Sequence, residues 1–249
     1  MLIALMADLH ANREAFAACL DHAERQGAER LVFLGDTVGY GADPQWATET
    51  VMGLVSRRSA VAVRGNHDEA AAARRGRGGM NATAEAALAW TRDRLSLEAA
   101  AFLASLPLEA WDDDRLYVHA DASDPGAWHY VAEAEDARRS LGATDAQATF
   151  CGHTHAPRLF GVTAAAKLTA FTPVPGVPVP LLRPRQWLAV LGAVGQPRDG
   201  NPAACYGMLD TGRAELTWVR VPYDVEAAAE KIRAAGLPES LALRLHRGR

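Results

Sequence analysis

The sequence predicts an α/β fold in which a parallel sheet alternating with helices is followed by antiparallel strands of a second sheet. Three observations carry this. In the first part of the chain, short aliphatic or β-branched runs are followed by helical patterns, the order that parallel pairing with packed helices requires. Several of these runs end in a small cluster of Asp, Asn and His, as expected where the strand ends of an α/β sheet converge on one edge. Beyond residue 155 the pattern changes to alternating or apolar runs, which suits antiparallel strands.

The first strand spans residues 2–6, and Asp8 and His10 follow it. Asn12 is a suitable N-cap for an alanine-rich helix that runs to about Gln26 and stops at Gly27. A second strand, residues 31–34, ends in Gly35-Asp36; the turn Gly39-Tyr40-Gly41 then leads to Asp43-Pro44, a cap followed by proline at the first helical position. Residues 59–63 read as a buried strand that delivers Gly65-Asn66-His67-Asp68. The basic, glycine-rich stretch at 74–79 is either a lid or a solvated connection. Helices are expected from about residue 82 to 93 and from a Ser96 cap to 104, with Trp90 in the core and Leu106-Pro107 as the stop.

A strand at 115–118 delivers His119, and one at 148–151 delivers Gly152-His153-Thr154-His155. The antiparallel strands of the second sheet are placed at 158–162, 186–194, 203–209 and 215–221. Between the first two lies an apolar, proline-rich excursion at 171–184. It packs either on its own domain or against another subunit, which would make the protein a homo-oligomer. Two amphipathic helices, 224–235 and 239–247, end the chain around Gly236-Leu237-Pro238.

With 249 residues, 49% of them hydrophobic, the chain can bury a sizeable core, and one domain over residues 1–249 is expected. A net charge of -4 argues against a general nucleic-acid binder, which needs positive charge to neutralise phosphates. A small anionic substrate would need local positive charge, and bound metal could supply it. The three cysteines, Cys19, Cys151 and Cys205, are odd in number and widely separated, so no disulfide framework can be drawn and a reducing compartment fits. No basic leader precedes the first strand, and no run approaches the roughly 20 apolar residues of a membrane span. A cytoplasmic protein with no membrane partner is expected.

Five of the eight histidines fall in the strand-end clusters, beside Asp8, Asp36, Asn66 and Asp68. Imidazole with carboxylate suits Mn, Fe, Co, Ni or Zn better than the metals that prefer thiolate. Two neighbouring cations need a bridging carboxylate to offset their repulsion, and Asp36 is the natural bridge. A lone Asp-x-His is commonly only a polar turn, Gly-Asp after a strand is weaker still, and His119 alone reads as a core histidine. Gly65-Asn66-His67-Asp68 and Gly152-His153-Thr154-His155 are sharper, since each tetrapeptide arises by chance on the order of once in a thousand such chains.

In that order, Asp8-x-His10, Gly35-Asp36, Gly65-Asn66-His67-Asp68, His119 and Gly152-His153-x-His155 resemble the calcineurin-like metallophosphoesterase superfamily. The stretch from Val194 to Gly200 and that from Tyr223 to Pro238 are similar to small prokaryotic phosphodiesterases of the YfcE-like group. The resemblance implies a four-layer α-β-β-α sandwich of two mixed sheets. It implies one metal held by Asp8, His10, Asp36 and His155 and a second held by Asp36, Asn66, His119 and His153. It also implies that His67 acts as general acid beside the phosphate, with Asp68 orienting its ring. The cofactors would be two divalent transition-metal ions, manganese first and Fe, Zn, Co or Ni as alternatives, and the partner a small phosphate-ester substrate.

Where related chains commonly read His-Gly-Ser-Pro, this one reads His119-Ala120-Asp121-Ala122, putting a further carboxylate close to the second metal. A stretch usually reading Asn-Pro-Gly-Ser is Val190-Leu191-Gly192-Ala193 here. Gly39-Tyr40-Gly41 and Asp68 replace the Asp-Arg-Gly and Gly-Asn-His-Glu of protein phosphatases, which disfavours that activity. Tyr40 either stacks on a base or aryl leaving group or is structural. Arg198 either contacts phosphate or makes a surface salt bridge. Besides hydrolysis of phosphodiesters or phosphomonoesters with small or nucleotide-like leaving groups, the alternatives are a scaffold of the same fold without catalysis, a dinucleoside polyphosphatase, and a nuclease. The nuclease is disfavoured by the absence of a basic aromatic groove.

Overall fold

The computed structural model describes residues 1–58, 60–73 and 80–249; the basic stretch at 74–79 lies outside the described residues, as does Ser59. The chain opens with β1 (Leu2–Met6), α1 (Arg13–Arg25), β2 (Arg30–Leu34), α2 (Pro44–Arg58), β3 (Val61–Val63) and α3 (Asn66–Ala72). It continues with α4 (Ala82–Arg92), α5 (Leu97–Ser105), β4 (Glu109–Asp112), β5 (Arg115–Val118), α6 (Ala134–Gly142) and β6 (Ala148–Cys151). After β7 (Arg158–Thr163), β8 (Leu168–Phe171), β9 (Val179–Pro180) and β10 (Arg185–Val190) come β11 (Ala204–Asp210), β12 (Glu215–Val221), α7 (Val225–Ala234) and α8 (Glu239–Arg247).

Among the described residues the strands form two six-stranded mixed sheets, in the orders β3-β2-β1-β11-β12-β9 and β4-β5-β6-β10-β7-β8. Each is parallel at its heart: β1, β2 and β3 in one, β5, β6 and β10 in the other. The expectation that the four late strands make a separate antiparallel sheet is therefore corrected. β11 and β12 extend the first sheet from the free edge of β1, while β7 and β10 join β6 in the second. Apolar periodicity reports which faces are buried, not which strand edge is the partner.

Alternation within strands explains the layers. Ile3, Leu5, Val32 and Leu34 face Phe150, Leu159, Trp187 and Ala189 between the two sheets. Ala4, Met6, Leu31 and Phe33 instead pack with Phe16 and Val51 of α1 and α2. On the far side, Leu116, Val118, Leu188 and Val190 meet Ala137 and Leu141 of α6. The result is the expected α-β-β-α order, and Trp218 ties the sheets together by donating Nε1–H to the Val190 carbonyl at 3.0 Å.

Two of the predicted caps are present: Asn12 accepts from the Ala15 amide and Ser96 from the Ala99 amide, each at 3.1 Å, contacts that contribute about 1 kcal/mol apiece. The apolar run at 186–194 ends as a strand at Val190. Gly192, with φ +84, turns the chain, Leu191 donates to Cys151 O in the second sheet, and Val194 and Gly195 donate to Ala7 O and Asp8 O beyond β1 in the first. That segment crosses between sheets, so it is apolar without being strand. The 171–184 excursion leaves the second sheet and folds partly onto the edge of the first, since Val179 and Pro180 pair with Leu216 and Glu215, and proline is tolerated on such an edge. Val174 and Leu182 stay exposed. Trp90 is half-buried and donates Nε1–H to Ala235 O. Cys19, Cys151 and Cys205 are buried free thiols. No helix among the described residues is long and apolar enough to cross a membrane.

Candidate metal centre

The loops after the parallel strands continue the pairing of the strands themselves. Asp8 N donates to Gly35 O, His10 N to Asp36 O and Ala11 N to Thr37 O, at 2.9–3.1 Å. Asp8, His10 and Asp36 are thereby drawn to one place, and Gly152 N bonding to His119 O does the same for the turns after β5 and β6. Sequence reasoning places these groups at the ends of one sheet. They stand instead at the facing ends of two, because β1, β2 and β3 belong to the first sheet and β5 and β6 to the second.

Each aspartate is clamped by backbone from a neighbouring turn. His67 N donates to Asp36 Oδ1 at 2.8 Å, and His153 N donates to Asp8 Oδ2 at 2.9 Å. The glycines before these turns permit the approach: a Cβ on Gly65 would stand 2.1 Å from Asp36 Oδ1, and one on Gly152 2.4 Å from Asp8 Oδ2. Asp8, His10, Asp36, His153 and His155 all adopt left-handed backbone, φ between 47° and 63°. For a residue other than glycine this costs roughly 1–2 kcal/mol, so the fold holds these side chains against local preference.

The imidazoles are oriented by carbonyls. His10 Nδ1 meets Val38 O at 3.1 Å, His119 Nδ1 meets Leu34 O at 2.8 Å, and His155 Nδ1 meets Gln196 O at 2.6 Å. A carbonyl only accepts, so each Nδ1 carries the hydrogen and each Nε2 turns toward the centre. There His10 Nε2 lies 3.1 Å from His155 Nε2, and His119 Nε2 lies 3.1 Å from His153 Nδ1 and from Asn66 Oδ1. Lone pairs at that distance repel unless a proton or a cation lies between them. Two ligands at right angles on an ion about 2.1 Å from each would stand about 3 Å apart. The donor set therefore fits a divalent cation, with the second nitrogen of three rings held as metal-binding histidines usually are.

Among the described residues three groups have ligand atoms within 4.8 Å of one another: Asp8, His10 and His155; His10, Asp36 and His67; and Asp36, His119 and His153. Asp36 Oδ2 lies 3.7 Å from His10 Nε2 and 3.4 Å from His119 Nε2, so one oxygen faces both halves of the centre.

The field is strongly polarised. Burial, then the neighbouring imidazoles, pushes His10 well below its ordinary value and His153 down to about 3. Burial acts against the imidazolium at His119 too, but Asp36 outweighs it and raises that ring to about 9. Asp36 is held well below the usual carboxylate range: burial opposes this, and His119, His67 and His10 overcome it. The carboxylates thus already favour positive charge where the Nε2 atoms converge.

His67 is buried, brought down to about 4 mainly by that burial, and its Nδ1 has no hydrogen-bond partner. The expected ring-orienting contact from Asp68 is replaced. Asp68 Oδ2 accepts from Gly65 N at 3.1 Å and Oδ1 from Val38 N at 3.2 Å, because a carboxylate in the first turn of α3 reaches those free amides most directly. Burial and the charge of Asp36 raise Asp68 to about 7. Tyr40 is only 7% exposed, with its ring 4.6 Å from that of His10 and 4.5 Å from that of His67.

Arg198 makes no ion pair among the described residues. Its guanidinium lies 5.7 Å from the Tyr40 ring, Nη2 donates to Gln196 Oε1, and Nε is buried without a partner. Asp121, the further carboxylate beside His119, is buried and accepts from Arg139 Nε at 2.6 Å. Sequence reasoning missed Tyr130, stacked on His153, and Trp128, at the edge of His119. The signal was two aromatics in a Pro-Gly loop just after a candidate ligand.

Fold and centre together define an α/β protein that converges imidazoles and carboxylates from two sheets on a place for cations. The chain belongs to the calcineurin-like phosphoesterase superfamily, whose domain model matches residues 1–214. It is 34% identical to a metallophosphoesterase from Sphaerobacter thermophilus, whose crystal structure superposes with a TM-score of 0.87 and all of both chains covered. An uncharacterized protein of Methanocaldococcus jannaschii is 32% identical over 100% of this chain and 98% of its own length. A hypothetical protein from Pyrococcus horikoshii shares the fold at a TM-score of 0.79, with 18% identity and 100% and 98% of the two chains covered.

Proposed function

We propose that the protein hydrolyses phosphodiesters, and phosphomonoesters, of small or nucleotide-like substrates with two divalent transition-metal ions, manganese first. The observation that supports this most is the position of Asp36 Oδ2, within 3.7 Å of one imidazole cluster and 3.4 Å of the other. Asp8, His10, Asp36 and His155 would hold one ion, and Asp36, Asn66, His119 and His153 the second. When bound, such a pair neutralises the phosphate and lowers the pKa of water from 15.7 toward about 7.

This chain's residues supply the rest. A nitrogen of His67 lies within 4.8 Å of ligand atoms of His10 and Asp36, which supports a ring that faces the ester rather than the core. The negative charge of the substrate offsets the burial that discourages its imidazolium, and the ring then hands a proton to the departing oxygen. Arg198, without a carboxylate partner among the described residues, binds a phosphate oxygen through charge-assisted hydrogen bonds. Tyr40, buried against His10 and His67, keeps water from their outer faces.

The test is to strip the protein of metal, restore manganese, and assay bis-aryl phosphate, aryl phosphate, 2',3'- and 3',5'-cyclic nucleotides and dinucleoside polyphosphates. Manganese-dependent release from the diesters is expected. No turnover of any ester would overturn the proposal.

A further inference from the structure

Tyr130 is a large side chain at the rim of the centre that neither metal binding nor phosphate binding uses. Its ring lies almost parallel to that of His153, with centroids 4.1 Å apart and an interplanar angle of 17°, yet the residue is 54% exposed. Among the described residues His153 is the only ring it meets. Two positions earlier, Trp128 adopts left-handed backbone, φ 58, and meets the His119 ring edge-on at 5.8 Å. The two histidines of the second cluster thus each carry an aromatic on their outer side.

The loop that presents Tyr130 is fixed from several directions. Arg139 donates from Nε to buried Asp121 Oδ2 at 2.6 Å, from Nη1 to Asp136 Oδ1 at 3.2 Å and from Nη2 to the Tyr130 carbonyl at 3.4 Å. Asp136 Oδ2 accepts from the Ala132 and Glu133 amides, and Thr154 Oγ1 donates to Val131 O, joining the loop to the turn that carries His153 and His155. An exposed aromatic is ordinarily free to move. This one is held in place before any ligand arrives, which reduces the entropy lost when something stacks on it.

We propose that Tyr130 is a specificity-determining residue whose exposed ring surface stacks on a planar aromatic group of the ester, a nucleobase or an aryl group, with Arg139 as its positioning residue. This rests on the phosphoesterase reading above. Stacking tolerates any base, because every base has a π face and no edge contact is required. The selection is therefore for aromatic over alkyl esters rather than for one base.

The experiment compares an aryl ester with a methyl ester of the same phosphate class, using manganese-loaded parental protein, Tyr130→Ala, Tyr130→Phe and Arg139→Gln. Tyr130→Ala is expected to lose about tenfold in kcat/KM on the aryl ester, through KM, with the methyl ester and the metal content unchanged. Tyr130→Phe keeps the parental preference, and Arg139→Gln loses part of it. Equal losses on both esters, no loss on either, or departure of metal from Tyr130→Ala would overturn the proposal, the last by showing that Tyr130 serves to hold His153. Calorimetric binding of adenosine monophosphate against methyl phosphate separates the two readings. If the parental protein turns over no ester yet prefers the nucleotide, and Tyr130→Ala abolishes that preference, the phosphoesterase reading falls and the platform stands. If it shows no preference, the platform falls too.

Discussion

Asp36 Oδ2 stands 3.4 Å from Nε2 of His119, a residue 83 positions later on the other sheet, while Asp36 Oδ1 accepts the His67 amide. One carboxylate is therefore shared between the two sheets and α3. Asp36→Asn keeps the shape but removes the charge that faces both imidazole clusters. Elemental analysis after manganese loading is expected to give fewer than two equivalents per chain; two full equivalents would rule out the bridging assignment.

His67→Asn leaves the seven proposed ligands in place. Metal content should match the parent, while turnover falls about 10²- to 10⁴-fold on alkyl diesters, whose leaving oxygen needs a proton, and much less on nitrophenyl esters. Parental rates on an alkyl diester would remove His67 from the role of general acid.

Gly65→Ala drives a Cβ to 2.1 Å from Asp36 Oδ1 and 2.3 Å from the Asp36 amide, and backbone cannot yield as a side-chain tip can. Thermal unfolding is expected to show a loss of about 1–3 kcal/mol, with weakened metal retention. Gly142→Ala is the control, because its Cβ meets nothing within 4 Å and the position ends α6. There the midpoint should hold or rise slightly.

Arg198→Ala removes a cation that has no carboxylate partner among the described residues, so little stability is at stake. KM for a diester is expected to rise about tenfold or more, the loss of a hydrogen bond to a charged group, with kcat and metal content less affected. An unchanged KM would return Arg198 to a purely structural contact with Gln196 and Tyr40.

Part of the centre is legible because Asn66, His67, His153 and His155 sit in two short, improbable tetrapeptides directly after apolar runs, while Asp8, His10, Asp36 and His119 are weak signals that gain weight only from that company. Helix starts were equally readable, since Asn12 and Ser96 cap through local geometry that the sequence states outright. Partner edges were not: nothing in residues 204–210 announces that they pair with β1 rather than with β10, since either edge would bury the same side chains. The partners of Asp68 escaped for a related reason. A carboxylate next to a histidine reads as the group that orients its ring, and only the fold reveals that the Gly65 and Val38 amides reach it first.

The crossing segment from Leu191 to Gly195 bonds to Cys151 on one layer and to Ala7 and Asp8 on the other, at the same end of the molecule as the converging histidines. Cations seated there would act as rivets through a seam already fastened by apolar contact, the Trp218 bond and the His153–Asp8 and His119–Leu34 hydrogen bonds. Chelation should consequently loosen that end first, admitting deuterium at the amides of residues 8–11 and 152–155 well before those of the Trp218 strand exchange.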